Sequence, residues 1–152
     1  MPIRTLERND YMEVLNKFSE ENYFLNGFSE APVYYNYRNY VCAESAYYAQ
    51  KTLNGDLRTE LENMTGEKAY EFSRSFEIRE HWDFLKKTEM YNVTWCKFTQ
   101  NEHLKDLLLA TGDKFLIDVN DYGDKYWGIS DKKGENLRGF IVTGKQIGRA
   151  HV

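Results

Sequence analysis

Val33-Tyr34-Tyr35-Asn36-Tyr37-Arg38-Asn39-Tyr40-Val41-Cys42-Ala43-Glu44-Ser45-Ala46-Tyr47-Tyr48-Ala49-Gln50-Lys51 changes character half-way along. Up to Cys42, β-branched and aromatic residues flank Asn36-Tyr37-Arg38-Asn39, a tetrad suited to a turn. This predicts strands over 33–35 and 40–42. From Glu44 the residues become good helix formers, with neither Gly nor Pro before Asn54-Gly55. That predicts a helix over 44–53 closed by the Asn-Gly pair. Strands that run straight into helices, rather than alternating with them, argue for an α+β domain over a parallel βαβ sheet.

Working outward, the aromatic first third predicts further strands near 11–18 and 23–28. Downstream, Asp56 is placed to cap a short helix reaching Met64, which Thr65-Gly66 breaks. Helices are expected over 67–73, 80–91 and 92–100. The clearest is 102–110, ended by Thr111-Gly112. A strand over 115–119, a turn-rich stretch to Gly134 and a helical or strand segment from Asn136 complete the pattern. With only Pro2 and Pro32, and no Ser/Gly-rich linker or repeat, 1–146 is read as a single compact, helix-rich domain with a small sheet.

Composition supports a packed core. Of the 152 residues, 41% are apolar, and 3 Trp, 12 Tyr and 9 Phe offset a mean hydropathy of −0.72. The longest apolar run, Leu107-Leu108-Leu109-Ala110, falls far short of the roughly 20 residues of a membrane span. Met1 to Arg8 holds no apolar stretch of the signal-peptide kind, so a cytoplasmic protein is expected. A net charge of −4 without one-signed blocks disfavours a strongly basic nucleic-acid binder. Cys42 and Cys96 stand 54 residues apart and are read as reduced thiols. His81, His103 and His151 form no metal-ligand pattern, and no cofactor or metal is expected.

Two stretches carry candidate chemistry. In Glu44 to Lys51, a carboxylate, two tyrosines and an amine fall within two helical turns, about 10 Å of rise. They line one pocket wall in one reading; in the other they are a dipole-favoured Glu, core tyrosines and a solvated Lys. In Trp127-Gly128-Ile129-Ser130-Asp131-Lys132-Lys133-Gly134-Glu135-Asn136-Leu137-Arg138-Gly139, Trp127 offers a stacking plane and Asp131 and Asn136 offer hydrogen bonds. The plain alternative is a surface turn beside a buried Trp. Trp82, Lys86 and Met90 form a helical stripe, and Lys97 closes the next predicted helix. No phosphate-loop pattern and no Ser/His/Asp order is present.

Taken in order, Phe24-Leu25-Asn26-Gly27-Phe28, Glu44 to Gln50-Lys51, Arg79-x-x-Trp82-x-x-x-Lys86, Lys97-Phe98-x-Gln100-Asn101, Leu108-x-x-Thr111-Gly112, and Trp127-Gly128 to Gly134-x-Asn136-x-x-Gly139 resemble the NADAR family. That family includes the YbiA-like N-glycosidases of riboflavin-biosynthesis intermediates. The matches run from about residue 18 to 142. The chain departs from the family pattern at Asn26-Gly27-Phe28, where Ser-Asn-Phe is usual, and at Ser45, where His is common.

The resemblance implies cleavage of a ribosyl N-glycosidic bond. The substrate would be a phosphorylated ribosyl-aminopyrimidine of the riboflavin pathway or an ADP-ribosyl-guanine in nucleic acid. It implies Glu44 as catalytic acid/base and Lys51 as a catalytic amine or phosphate contact. Asn26, Phe28, Tyr48, Trp82, Lys86, Lys97, Trp127, Gly128, Asp131 and Asn136 become candidate substrate contacts. Glu44, Tyr48 and Lys51 are expected to share one pocket with the Trp127 loop. The competing class is a non-catalytic module that binds ADP-ribose or another NAD derivative. Beyond Gln146, Ile147-Gly148-Arg149-Ala150-His151-Val152 is what one frame of a common sequencing adapter encodes. Residues 147–152 are therefore expected to be a non-native tail.

Overall fold

A computed structural model of the chain describes residues 14, 15, 18 and 20–146. The expected tail, 147–152, lies outside the described residues. In chain order the elements are β1 (Val14–Leu15), a 3-10 helix (Glu20–Leu25), β2 (Val33–Tyr35), β3 (Arg38–Tyr40), α1 (Ala43–Ala49), α2 (Gly55–Leu61) and α3 (Gly66–Ser73). Then follow α4 (Trp82–Gln100), α5 (Glu102–Ala110), β4 (Phe115–Leu116), β5 (Val119–Asn120), β6 (Ile129–Ser130) and α6 (Leu137–Gln146). The fold is α+β and rich in helix. Its strands form three two-stranded ladders among the described residues: β1 with β4, β2 with β3, and β5 with β6. The residues gather into two compact units, Gly27–Lys105 and a second made of the described residues up to Asn26 and from Asp106 onward.

In the Gly27–Lys105 unit, β2 and β3 pair antiparallel, Val33 with Tyr40 and Tyr35 with Arg38. Asn36 and Tyr37, both at positive φ (53° and 69°), make the whole turn. The second strand therefore starts two residues before the expected 40–42. Cys42 caps α1, its Sγ accepting from the Ser45 N–H at 3.5 Å. α1 is the buried centre of this unit, packed by α2, α3, α4 and the hairpin.

α1 stops at Ala49 instead of reaching Leu53, and Asn54 begins a helix rather than ending one. Its Oδ1 accepts from the N–H groups of Asp56 (2.9 Å) and Leu57 (3.1 Å), so Asn54 is the α2 cap and Asp56 a first-turn acid. Thr65 caps α3 in the same way, accepting from the Lys68 N–H at 3.3 Å. The helices expected at 80–91 and 92–100 are one 19-residue helix, α4. Asn92 does not interrupt it because its Nδ2 donates across to the Tyr35 hydroxyl at 3.2 Å. α5 runs over the expected residues.

In the second unit, Val14–Leu15 lies inside the strand expected at 11–18 and pairs parallel with β4. The strand expected at 23–28 is absent; a 3-10 helix spans Glu20–Leu25, with two acids in its first turn and Leu25 buried. Helix-dipole compensation and the burial of Leu25 outweigh the β-propensity of Tyr23 and Phe24. The strand expected over 115–119 divides into β4 and the start of β5, and the final segment is the helix α6. Leu116, Ile117, Ile129 and Val142 are buried in this unit. Among the described residues no helix is long and apolar enough to cross a membrane.

Candidate active site

Glu44 stands in the first turn of α1 and is 1% exposed. A three-residue strap, Gly27-Phe28-Ser29, holds its surroundings. The Gly27 carbonyl accepts the Glu44 N–H at 3.0 Å. The Phe28 ring lies against Gly66, where a Cβ would come within 2.3 Å of Phe28 Cδ1 and 3.2 Å of Glu44 Cβ. Only glycine at the start of α3 lets ring and carboxylate stem approach this closely. Ser29 Oγ accepts from Lys97 Nζ at 2.9 Å. The strap thus touches two of the expected site residues, Glu44 and Lys97, and supplies a third, Phe28.

Lys51, expected on the helical face of Glu44, stands in the tighter turn that closes α1 after Ala49. The Gln50 and Lys51 N–H groups bond back three residues, to Tyr47 (3.0 Å) and Tyr48 (3.1 Å). The Lys51 amine lies 5.5 Å from the Tyr48 ring centroid and 3.4 Å from Ser73 Oγ. It is half-buried, and loss of water pushes its pKa below the usual lysine value. Aromatic rings continue from there: Tyr48 to Tyr70 at 5.6 Å, Tyr48 to Tyr47 at 5.2 Å, and Tyr47 to Trp82 at 5.3 Å. Trp82 is buried at the start of α4. Lys86, one turn on, lies 3.4 Å from Asp83 at the surface. Lys97, read from sequence as a helix-end cation or a substrate contact, stands in the last turn of α4 and is 1% exposed. Buried lysines are uncommon without a polar partner, and Ser29 is one here.

The second unit holds Asn26, Trp127, Gly128, Asp131 and Asn136. Asn26 Nδ2 donates to the Phe18 carbonyl at 3.4 Å. Asn136, at φ 51° and 0% exposed, accepts the Asp118 N–H on Oδ1 (2.8 Å) and donates from Nδ2 to the Leu116 carbonyl (3.1 Å). That is a brace between α6 and the end of β4. A Cβ on Gly139 would meet the Leu116 oxygen at 2.3 Å, and one on Gly128 the Asp118 oxygen at 2.3 Å. Arg138 Nε pairs with Asp118 Oδ2 at 3.1 Å, both side chains buried. Asp131 is exposed, in a two-residue turn with Lys132 closed by two Ser130–Lys133 backbone bonds. Trp127 is half-buried, its backbone N–H donating to Asp124 Oδ1 at 2.9 Å and its ring edge-on to Tyr126 at 4.7 Å.

The sequence profile of the NADAR domain matches residues 7–145. The chain belongs to the NADAR family. Over 150 residues it is 26% identical to the N-glycosidase YbiA of Escherichia coli K12, with 93% of each chain covered. A 71-residue stretch, 47% of this chain and 42% of the other, is 31% identical to an N-glycosidase of Nostoc punctiforme. A 60-residue stretch, 40% of this chain and 10% of the other, is 35% identical to the chloroplastic riboflavin biosynthesis protein PYRR of Arabidopsis thaliana. Among solved structures, the NMR structure of E. coli YbiA superposes with a TM-score of 0.79 at 25% identity, covering 91% of this chain and 89% of that one.

Sequence reading of this NADAR chain passed over four groups that shape the Glu44 side. Ser29 and Gly66 were hidden because their partners lie 68 residues away in Lys97 and on another element in Phe28. Arg58 and Glu89 carry no motif of their own in the sequence. A Gly directly after a capping Thr was the available signal for Gly66, since that position tolerates most residues unless something packs on it.

Proposed function

We propose that this NADAR chain, an N-glycosidase by family, hydrolyses the bond between C1 of a phosphorylated ribose and the nitrogen of an aminopyrimidine in the cytoplasm, with Glu44 as acid/base. The observation that carries this reading is the pairing, on α1 and its closing turn, of a buried carboxylate with a half-buried amine, bordered by aromatic rings. The segmental similarity to a riboflavin biosynthesis protein favours the aminopyrimidine class over ADP-ribosyl-guanine.

Opening a C1–N bond leaves positive charge on the sugar and requires a proton on the departing nitrogen. In the direct route, Glu44 takes a proton from water, whose oxygen bonds to C1, and passes that proton to the leaving amine. In the covalent route the neutral Lys51 amine bonds to C1 and gives up two protons: one goes to the ring oxygen, whose bond to C1 breaks, and the other is passed by Glu44 to the nitrogen of the departing aminopyrimidine. Water then adds to the Schiff base, restoring the free lysine and releasing the sugar aldehyde. The lowered pKa of Lys51 supports the covalent route, because only a neutral amine attacks. Phe28, Tyr48 and Trp82 are assigned to the rings of the substrate, and Lys86, one turn from Trp82, to its phosphate.

The test is a product assay on both substrate classes with borohydride present and absent. Release of ribose 5-phosphate from the ribosyl-aminopyrimidine, with a reduced adduct on Lys51, is the expected result. Release of ADP-ribose from guanine alone would change the substrate. Binding of either without release would make the chain a non-catalytic module.

A further inference from the structure

We propose that Arg58 and Arg79, the latter steadied by Glu89 and Tyr35, are positioning residues that hold the backbone of Lys51 and so aim its amine. This rests on the reading of Lys51 as a reacting amine. A helix end leaves its last carbonyls without intrahelical partners, and water or a terminal glycine commonly resolves this. α1 ends without a glycine: its closing residues are Gln50 and Lys51. Gln50 Nε2 returns to the Ala46 carbonyl at 2.9 Å, and the Gln50 and Lys51 N–H groups take those of Tyr47 and Tyr48. Arg58 Nε, from α2, donates to the carbonyls of both Ala49 (3.1 Å) and Thr52 (2.9 Å). Arg79, from the segment before α4, donates Nη1 to the Gln50 carbonyl (3.4 Å) and its backbone N–H to that of Lys51 (2.8 Å).

Every carbonyl from Ala46 to Thr52 therefore has a donor: the Arg58 guanidinium serves Ala49 and Thr52, the Arg79 guanidinium serves Gln50, and the Arg79 backbone N–H serves Lys51 itself. The arrangement continues outward. Arg79 Nη1 lies 3.9 Å from Glu89 Oε2, and Glu89 Oε1 accepts the Tyr35 hydroxyl at 2.5 Å. Two cations at the negative end of α1 also suit its dipole. With the backbone held from both sides, the Lys51 side chain is left on the Tyr48 and Ser73 side. The groups facing it are Tyr48 on α1 and Ser73 on α3, with Arg58 and Arg79 behind the backbone and Glu89 beyond Arg79. A lysine has a long, rotatable stem, so anchoring its Cα is the part of its aim that the fold controls.

The experiment uses the full chain, with its lysines 13C-methylated and the Lys51 resonance assigned through Lys51→Arg. Three quantities are followed: the Lys51 titration midpoint, kcat against KM on the active substrate, and Tm. Arg79→Met is expected to move the Lys51 midpoint up towards the ordinary lysine value. It should lower kcat roughly 10- to 100-fold with KM within about twofold. Arg79→Lys should restore part of both changes, and Arg58→Met should act in the same direction. Glu89→Gln and Tyr35→Phe leave both arginines in place; they should give smaller shifts of the same sign and carry the test if Arg79→Met fails to fold. A lowered Tm with unchanged Lys51 midpoint and kcat would overturn the proposal. Unchanged turnover in Lys51→Arg would overturn the reading of Lys51 instead, and the midpoint, read without turnover, tells the two failures apart.

Discussion

The turn of chain around α1 and the stretch from Asp118 to Gly139 are equally distinctive in sequence, yet they are distinctive for different reasons. Around α1 the marked residues are ionisable groups taken out of water: Glu44, Lys97 and, half-way, Lys51. Between Asp118 and Gly139 the buried charges Arg138 and Asp118 pair with each other, and the other marked residues close their hydrogen bonds on the backbone, as Asn136 does on Leu116 and Asp118, or lack a side chain and so admit a carbonyl. Burying a charge costs stability unless something is gained by it. Bracing a loop is its own gain. A motif rich in Gly and Asn therefore argues first for architecture, and one that keeps Glu and Lys in the dark argues for chemistry.

The largest effect expected from this contrast is at Glu44. Glu44→Gln keeps the shape of the side chain, so Tm should stay near that of the parent while turnover falls roughly two to four orders of magnitude. Retained turnover would place α1 in the same class as the Asn136 brace. Next comes Gly139→Ala, whose Cβ would meet the fixed Leu116 carbonyl at 2.3 Å. It should cost about 1–3 kcal/mol in denaturant unfolding while activity per folded molecule is kept. A fall in specific activity with unchanged stability would erase the distinction from the other side.

A smaller effect concerns the alkaline limb of stability. Burial first, then the bond to Glu89, raises the Tyr35 pKa to about 12. The folded state therefore favours the protonated phenol. Its contribution is whole below pH 10 and is lost as pH rises towards 12. Tyr35→Phe should cost about 1 kcal/mol at pH 8 and flatten the loss of stability above pH 10. An alkaline limb unchanged by the substitution would mean that another group sets it.

Local pattern made much of the fold legible. α5 was readable because a leucine stripe is bounded by Asn101 and Thr111-Gly112, and β2 because its turn residues are local. What escaped was decided by distant partners. Asn92 looked like a break, but its amide is used by Tyr35, 57 residues away. Asn54-Gly55 looked like a stop, and the same Asn side chain makes a good start; only the packing of α2 chooses between them. At the site, Glu44 and Lys51 stood out by residue type. The pairing of Lys97 with Ser29 had no local trace, nor did the reach of Arg58; Arg79 stood in the block Arg79-x-x-Trp82-x-x-x-Lys86, but nothing local showed that it turns back to Gln50 and Lys51.

α4 is also a measuring rod. Trp82 opens it and Lys97 lies fifteen residues further on, which at 1.5 Å per residue separates their Cα atoms by about 22 Å along a straight axis. Lys97 is buried against Ser29 at its end of that span, and a single phosphorylated riboside is shorter than the span itself. A small substrate therefore meets one end of the rod or the other. A ligand that loses affinity on both Trp82→Ala and Lys97→Met would have to be as long as a dinucleotide. The length of one uninterrupted helix thus sets a limit on the size of what the protein can grip with both residues.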